Sequence, residues 1–344
     1  MLRFVPVLWA AFCAVLFFAA PVSAQSVADF YKGKTITIIV GYAPGGDYDP
    51  YARMLARHIV RHIPGNPTVV VQNMPGAGGM VAANHVANVA PKDGTVLGVF
   101  SSATALEPLF GNEQAKFQTD KFAWIGNMYK DVTACAVWKT SKFNTLDDML
   151  KSGQEVVFGS TGPGTTTTYH PLLMQNMLGA KVKILQGFGG IKEIGLALQK
   201  GEVDAACGMQ ISTILASFPQ DYESGDLRVL IYFDRDKVPF FKNAVNFYDR
   251  LKSEDDKLVA DLFFGQLAIA RPLAGPPGMP ADRTQALQKA MSDALKDPEL
   301  LAEAKKTNLP IDPMTGEEVA RAFAAFYKTP PAAVQRAKEL TATK

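Results

Sequence analysis

The chain has 344 residues, and its 35 lysine and arginine residues nearly balance 33 aspartate and glutamate residues, which leaves a formal net charge of +2. So small a net charge argues against nucleic acid as the partner. Hydrophobic residues make up 48% and charged residues 20%, which is the composition of an ordinary globular protein and excludes a disordered or fibrous one. The length suits roughly two domains of ~150 residues.

The first 24 residues have the pattern of a secretory signal peptide. Arg3 is followed by an apolar run over 4–20, and small residues stand at positions −3 and −1 of a cleavage point after Ala24. A single membrane anchor is the alternative, but the run is short for a membrane span and is interrupted by Pro21. We therefore predict cleavage after Ala24 and export, and no other segment is apolar enough to span a bilayer.

The exported chain keeps two cysteines, Cys135 and Cys207. It works in an oxidising compartment, where two thiols can form one disulfide. Each cysteine lies in an apolar stretch, however, where a buried free thiol is equally ordinary. The sequence therefore leaves the disulfide and the free thiols as alternatives.

The first part of the exported chain predicts alternating strands and helices. A β-branched run over 35–41 predicts a buried strand, and Asp49 and Pro50 suit the N-cap and the first position of a following helix. The same unit then repeats as a strand over 68–72, a glycine-rich turn over 75–79, a helix over 80–89 and a strand over 95–101. This βαβαβ order is typical of a parallel sheet.

A second α/β series begins near Thr133. Its predicted strands cover 133–138, 155–160, 182–185, 203–207 and 227–233, and helices are predicted over 146–151, 169–178 and 191–200. A strand-like run covers 267–270, and the remaining helices are predicted over 281–296, 298–306, 316–328 and 331–341. We therefore predict two α/β lobes followed by C-terminal helices.

Three glycine-containing turns, at 42–49, 73–79 and 161–167, each follow a predicted strand and open a predicted helix. Ligands of open parallel sheets bind beyond the carboxyl ends of the strands, where such turns gather. Glycine lets the backbone come close to a ligand, and the first N–H groups of a helix favour an anion. One such turn is as easily an ordinary tight connection, but the three together predict an anion-binding cleft.

The sequence offers no pattern for catalysis. The turns match neither GxxxxGK[ST] nor GxGxxG, and no GxSxG motif is present. His58 and His62 have the spacing of zinc-protease ligands, but Ile59 stands where that motif needs glutamate, so we interpret them as surface or packing histidines. His85 and His170 have no obvious serine or cysteine partner. We expect no catalytic residue, no metal and no cofactor.

The turns and their neighbours form a recognisable set of motifs. They are PGG-x-x-D at Pro44, Gly45, Gly46 and Asp49, N-x-PGAGG at 73–79, a Pro-x-Asp-Gly turn at 91–94, a G-x-G-(S/T) loop with a histidine at Gly162, Gly164, Thr165 and His170, and G-x-V-D at 201–204. Over nearly the whole exported chain, this set resembles the Bug-type, or TctC-type, substrate-binding proteins of tripartite tricarboxylate transporters.

The resemblance implies an α/β fold of two lobes, as in type II-like periplasmic binding proteins, with a ligand cleft between the lobes. Residues 1–24 would be the signal peptide, 25–131 with 267–344 the first domain, and 132–266 the second. The lobes would close about crossing strands near 129–135 and 264–270.

The family is generally not enzymatic, so the resemblance implies a periplasmic protein that delivers a small carboxylate to membrane permease subunits. An exported sensor component that presents its ligand to a signalling system is the alternative. An extracytoplasmic enzyme on the same scaffold is a third reading, which no motif supports.

By position, the resemblance also implies the ligand-binding residues, which are Tyr42, Gly46, Asp49, Gly76, Ala77, Gly78, Ser101, Ser102, Thr104, Thr165, Thr166 and His170. Of these, Asp49 suits a helix cap better than an anion contact. Many relatives carry an aspartate soon after the Val-Asp pair where this chain has Gly208 and Met209, which argues against a ligand amino group there. Tyr42, Tyr48, Tyr169 and Phe188 are candidate apolar walls, so the expected ligand is a dicarboxylate, a tricarboxylate or an aromatic carboxylate.

Overall fold

The computed structural model of the protein describes residues 25–46 and 48–341. The predicted signal peptide, residues 1–24, lies outside the described residues. None of the described helices combines the length and the apolar character that are needed to cross a bilayer.

The described chain alternates strands and helices along most of its length. The strands are β1 (Thr35–Val40), β2 (Thr68–Asn73), β3 (Val96–Val99), β4 (Ala123–Asn127), β5 (Thr133–Trp138), β6 (Val156–Ser160), β7 (Val182–Gln186), β8 (Ala205–Gln210), β9 (Leu227–Phe233), β10 (Val245–Asn246), β11 (Pro272–Gly275) and β12 (Met314–Thr315). The helices are α1 (Val27–Tyr31), α2 (Asp49–Ile59), α3 (Met80–Asn88), α4 (Ser102–Leu106), α5 (Leu146–Lys151), α6 (Thr166–Leu178), α7 (Ile191–Lys200), α8 (Ile211–Ser217), α9 (Pro219–Ser224), α10 (Glu254–Phe264), α11 (Ala281–Ala294), α12 (Pro298–Lys306), α13 (Gly316–Phe326) and α14 (Pro331–Thr341).

The described strands form two sheets, one in each lobe. In the first lobe the order is β12-β4-β11-β3-β1-β2, with β1 parallel to β2 and β3, and β11 antiparallel to β3 and β4. In the second lobe the order is β10-β9-β5-β8-β6-β7, with β6 parallel to β7 and β8, and β5 antiparallel to β8 and β9. The predicted two-lobed α/β fold is therefore confirmed.

Helices cover both faces of each sheet, because successive residues of a strand point to opposite faces. In β1, Ile38 packs with residues of α2 and α11, whereas Ile39 packs with residues of α3 on the other face. In β5, Val137 lies in a core with α6 and α10, whereas Ala136 packs towards α7. Strands buried on both faces explain why their sequences are almost continuously apolar.

The chain crosses from the first lobe to the second over 128–132 and returns over 265–271. The return is not the strand predicted at 267–270, because Gly265–Ile269 is a 3₁₀ helix and β11 begins only at Pro272. Leu267 and Ile269 are buried in this crossing. A short apolar run does not by itself distinguish a strand from another buried segment.

The last helix departs from the expected domain boundaries. Residues 272–326 add β11, β12 and helices to the first lobe, but α14 packs on α6 and α10 of the second lobe. Its buried residues Val334 and Ala337 belong to the core of that lobe. The expected first-domain segment 267–344 therefore does not include α14, which bridges back to the second lobe.

The two cysteines form a disulfide in the core of the second lobe. Cys135 on β5 and Cys207 on β8 face each other in the antiparallel pair, with their Cα atoms 4.0 Å apart, and both are buried. Of the two alternatives that the sequence left open, the structure has the disulfide.

We predict that residues 25–344, denatured without a reductant, contain no titratable thiol and that reduction releases two. Because the disulfide closes a loop across 72 residues, replacing both cysteines with alanine should lower the free energy of unfolding by about 2–4 kcal/mol. Urea denaturation of the variant and of the unreduced wild type measures this loss. Two thiols in the unreduced, denatured wild type would contradict the bridge.

Candidate functional site

A cavity of about 490 Å³ lies between the lobes. The first lobe contributes the turns that follow β1, β2 and β3, and the second lobe contributes the loops after β6 and β7 and the end of β8. Leu267 and Ala270 of the crossing also line it. The cavity therefore lies where the carboxyl ends of the strands from both lobes meet, which is the usual ligand position in open α/β sheets.

Ten of the predicted ligand-binding residues line this cavity. They are Tyr42, Gly46, Gly76, Ala77, Gly78, Ser101, Ser102, Thr104, Thr165 and Thr166. The structure thus brings together residues from four separate turns. Asp49 and His170 do not line the cavity, and each has a different role.

Asp49 supports the first turn from below. It is the first residue of α2, whose N-cap is Tyr48, so Asp49 is not the N-cap that the sequence suggested. Its carboxylate accepts hydrogen bonds from the backbone N–H of Gly45 at 2.9 Å, Arg53 Nε at 2.9 Å and Asn73 Nδ2 at 2.8 Å. Burial opposes ionisation, but these bonds together lower the pKa of Asp49.

The second turn is held by two hydroxyl groups. Tyr42 Oη and Thr104 Oγ1 both donate to the carbonyl of Gly78, each at 2.8 Å. Gly79 must be glycine, since its φ is +99° and a Cβ there would lie 3.2 Å from Tyr42 Oη. Ala77 adopts a φ of 45°, a left-handed conformation that costs a residue with a Cβ roughly 1–2 kcal/mol. Strain of this kind concentrates at binding sites.

Stacked aromatic rings form one wall of the cavity. Tyr42 stacks on Tyr48 with ring centroids 4.3 Å apart, and the guanidinium of Arg271 lies 4.6 Å from the Tyr48 ring centroid. Burial raises the pKa of Tyr42, so its hydroxyl stays protonated and can donate. Of the other two aromatic residues expected as walls, Phe188 lines this cavity, whereas Tyr169 lies beside it.

The second-lobe loop is organised by threonine hydroxyls. Thr165 Oγ1 donates to the carbonyl of Gly162 at 2.8 Å, and Thr167 Oγ1 accepts from the backbone N–H of Thr161 at 3.0 Å. Thr165 is the N-cap of α6 but its side chain does not cap the helix. The backbone N–H of Thr168 already bonds to the Thr165 carbonyl at 3.0 Å, so the N–H groups of Thr166 and Thr167 are the ones that the helix and its N-cap side chain leave for the cavity, which both residues line.

His170 lies in the core of the second lobe, which corrects the expectation that it lines the cleft. It is 1% exposed, and its ring stacks on Phe233 at 4.6 Å and contacts Phe264 at 5.2 Å. Its Nδ1 has no hydrogen-bond partner among the described residues. Burial lowers the pKa of His170 to about 3, so the ring is neutral at physiological pH.

The sequence did not identify the contribution of α7. Ile191, Lys192 and Glu193 of its first turn line the cavity beside the expected Phe188, and Gly190 caps α7 without a side chain. Lys192 is the one cationic side chain among the described lining residues. The available signal was the turn over 187–190, which is glycine-rich, precedes a helix and is followed by this lysine.

The crossing segments place a buried charge pair behind the cavity. Arg271 donates to Gln210 Oε1 and to Ser212 Oγ, each at 2.9 Å, and lies 3.6 Å from Asp131. Both charged side chains are fully buried. Burial raises the pKa of Asp131 to about 6, although Arg271 and Ser212 favour its charged form. Gln210 lines the cavity, so this pair is connected to it directly.

His58 and His62 are packing residues, as the sequence suggested. His58 Nε2 of α2 lies 2.8 Å from Glu303 of α12, and His62 Nε2, in the 3₁₀ turn that follows α2, lies 2.9 Å from Asp297, the N-cap of α12. Among the described residues, no group of three or more histidine, cysteine, aspartate or glutamate side chains is placed to hold a metal ion.

Known proteins resemble this chain in both sequence and fold. The family model described as the tripartite tricarboxylate transporter family receptor, TctC, matches residues 52–325. BugT of Bordetella pertussis is 30% identical over 235 residues, which cover 67% of this chain and 68% of BugT.

Two solved structures share the fold. MatC of Rhodopseudomonas palustris with bound malate has a TM-score of 0.65 at 19% identity, covering 90% of this chain and 99% of MatC. A second R. palustris protein, with adipate, has a TM-score of 0.67 at 16% identity, covering 90% of this chain and 97% of that one. At these identities the two structures establish the fold alone.

We predict that His170 makes the protein sensitive to acid. The unfolded chain binds a proton at His170 near pH 6.5 and the folded protein only near pH 3, so stability is lost as pH falls between these values. Between pH 7 and pH 4, His170→Phe should lose about 3 kcal/mol less free energy of unfolding than the wild type. Urea denaturation at the two pH values measures the difference.

His85→Phe, which removes a partly exposed histidine of α3, is the matched control and should lose free energy of unfolding with pH as the wild type does. An equal loss in His170→Phe and the wild type would show that His170 does not titrate as a buried group.

Proposed function

This chain belongs to the tripartite tricarboxylate transporter receptor family, and we propose that it is a periplasmic solute-binding protein that captures a small carboxylate anion between its two lobes. It then delivers the anion to the membrane permease subunits of a tripartite tricarboxylate-type transporter. It is not an enzyme, and the predicted signal peptide directs it to the periplasm.

The cavity between the lobes carries this proposal. Its lining combines the starts of α6 and α7, whose N-cap side chains make no cap bond, with Lys192 of the second lobe, whereas the carboxylate of the neighbouring Glu193 is bonded to the backbone N–H of Gly189. Unpaired N–H groups at a helix start and a nearby cation both favour a negative ligand. A cavity of about 490 Å³ is large enough for a small organic acid.

The donors of the two lobes have complementary roles in this proposal. The residues proposed to hold the ligand are Tyr42, Gly46, Gly76, Ala77, Gly78, Ser101, Ser102, Thr104, Thr165 and Thr166, with Lys192 added from the structure. A ligand that contacts both lobes favours the closed arrangement, because only there are both sets of donors used at once. The malate and adipate bound by the two R. palustris proteins support a carboxylate as the ligand.

A thermal-shift screen of residues 25–344 tests the ligand class. The panel contains C3 to C6 di- and tricarboxylates, fatty acids and aromatic carboxylates, with the corresponding amides as uncharged controls. A ligand present at a hundred times its Kd stabilises the folded protein by about 2.7 kcal/mol, so its melting temperature rises. We expect one class of carboxylate to raise the melting temperature and its amides to leave it unchanged.

Protein for this screen is refolded from urea, so that a ligand acquired during expression does not mask the shift. Mass spectrometry of the compound released after incubation should recover the carboxylate unchanged. A shift by the amides equal to that of the acids, or release of a converted product, would contradict the proposal.

Lys192→Met tests the electrostatic part of the site. Because the lysine is exposed to solvent, we expect an affinity loss of about threefold to tenfold for the panel acid with the largest shift, and a smaller loss at high salt. Isothermal titration calorimetry at low and high salt measures both effects. Lys200→Met, at the other end of α7, is the matched control, and an equal loss in that variant would assign the effect to net charge alone.

A further inference from the structure

We propose that Glu107 and Tyr169 are positioning residues for ligand capture, joined by a hydrogen bond across the cleft that holds the two lobes in their closed arrangement. The inference rests on the proposed function, since it concerns how that same cleft closes. Glu107 follows α4 of the first lobe, and Tyr169 lies in α6 of the second. Tyr169 Oη donates to Glu107 Oε1 at 2.8 Å.

This bond connects the two helices whose first turns line the ligand cavity. Ser102 and Thr104 of α4 lie on the first-lobe side of that cavity, and Thr166 of α6 lies on the second-lobe side. Glu107 ends α4, and Tyr169 is one turn into α6. The distance between the donors of the two lobes is therefore set by a bond that lies next to them and outside the cavity.

The surroundings of Glu107 show that the bond depends on close contact of the lobes. Glu107 is 5% exposed, and its other oxygen, Oε2, accepts from Asn112 Nδ2 at 2.7 Å. A Cβ at Gly164 would lie 2.9 Å from Glu107 Oε1, and the φ of Gly164 is +75°, so glycine suits this close approach of the second-lobe loop. Nearby, a Cβ at Gly78 would lie 3.1 Å from Thr165 Cγ2 across the same gap.

The cost of burying the Glu107 carboxylate makes the strength of this bond depend on whether the lobes are closed or open. Burial raises the pKa of Glu107, which reflects the cost of removing its carboxylate from water, and Tyr169 and Asn112 offset part of that cost. When the lobes separate, water replaces Tyr169 as the partner of the carboxylate. Without the Tyr169 hydroxyl, closure buries the carboxylate with one partner fewer, and the open arrangement becomes more populated.

Tyr169 has two kinds of contact, since its hydroxyl bonds to Glu107 and its ring packs on aromatic side chains beside that bond. Its ring packs on Phe263 of α10 at 5.2 Å, and Phe110 of the first lobe stacks on the same Phe263 at 5.5 Å. Tyr169→Phe keeps these ring contacts and removes only the hydroxyl. The variant therefore isolates the hydrogen bond from the packing.

Hydrogen–deuterium exchange of protein refolded from urea, without added ligand, tests the proposal. A hydrogen bond to a charged group contributes enough that its loss should raise the open population about tenfold or more. Because exchange through opening is proportional to that population, amides of segments 104–112 and 163–170 should exchange about tenfold faster in Tyr169→Phe. Amides of β1 and β8, in the centres of the two sheets, should keep their wild-type rates.

Two further variants make the result specific. Tyr222→Phe removes a tyrosine hydroxyl that donates to the Phe240 carbonyl within the second lobe, so the two cleft segments should exchange as in the wild type. Glu107→Ala removes the acceptor of the same bond, so the two cleft segments should exchange faster than in the wild type, as in Tyr169→Phe.

Unchanged exchange in Tyr169→Phe would overturn the proposal, as would equal acceleration throughout both sheets, which signals a loss of global stability. Wild-type exchange of the two segments in Glu107→Ala would also contradict it. Since no ligand is used, these outcomes are independent of the ligand screen. If only the ligand screen failed, the proposed interlobe bond would stand, and the proposal that the ligand is a carboxylate would fall.

Discussion

The arrangement of the two lobes depends on the contacts that the buried guanidinium of Arg271 makes with both of them. Arg271 lies where the chain re-enters the first lobe, and its side chain donates hydrogen bonds to Gln210 and Ser212 of the second lobe. It also lies against the Tyr48 ring of the first lobe and near Asp131 of the other crossing. An arginine can meet so many partners because its planar group offers several donors and an aromatic-compatible face.

Such a buried charge pair is weak evidence for stability, since desolvating two ions costs about as much as their attraction returns. Its effect here is geometric. Removing Arg271 would leave the Asp131 carboxylate buried without this cation. These contacts join Gln210 and Ser212 of the second lobe to both crossing segments, directly behind the cavity.

The parts of the fold that were predictable from sequence are those set by local pattern. The β-branched run of β1 predicts a strand from its own sequence. The glycines of the turn from Ala77 to Gly79 indicate the left-handed backbone that the structure has there. Helix α4 escaped prediction because five residues are too few to show a helical period. The prediction of a strand at 267–270 was wrong because the apolar residues of this segment are buried at a crossing between the lobes and not in a sheet.

The parts of the site that could not be predicted depend on contacts distant in sequence. Cys135 and Cys207 become neighbours only through the pairing of β5 with β8, which no local pattern specifies. His170 was predicted to line the cleft only from its position in the motif that begins at Gly162. In the structure, α6 starts at Thr166 and His170 lies one turn deeper, against Phe233. Thus the backbone donors of a turn transfer between relatives more safely than a single side chain does.

The two lobes also differ in how firmly the polar groups that line the cavity are fixed. In the first lobe, Asp49 and Asn73 fix one turn, and Tyr42 with Thr104 fixes the next through a backbone carbonyl. The backbone of these two turns is therefore held in one position at the cavity. In the second lobe, the hydroxyls around Thr165 are bonded mainly to one another, and each can rotate to donate or accept. Together with Lys192 and Phe188, they give the second-lobe side of the cavity hydroxyls that can reorient, a cation and an aromatic ring, whereas on the first-lobe side the hydroxyls of Tyr42 and Thr104 are bonded to the Gly78 carbonyl.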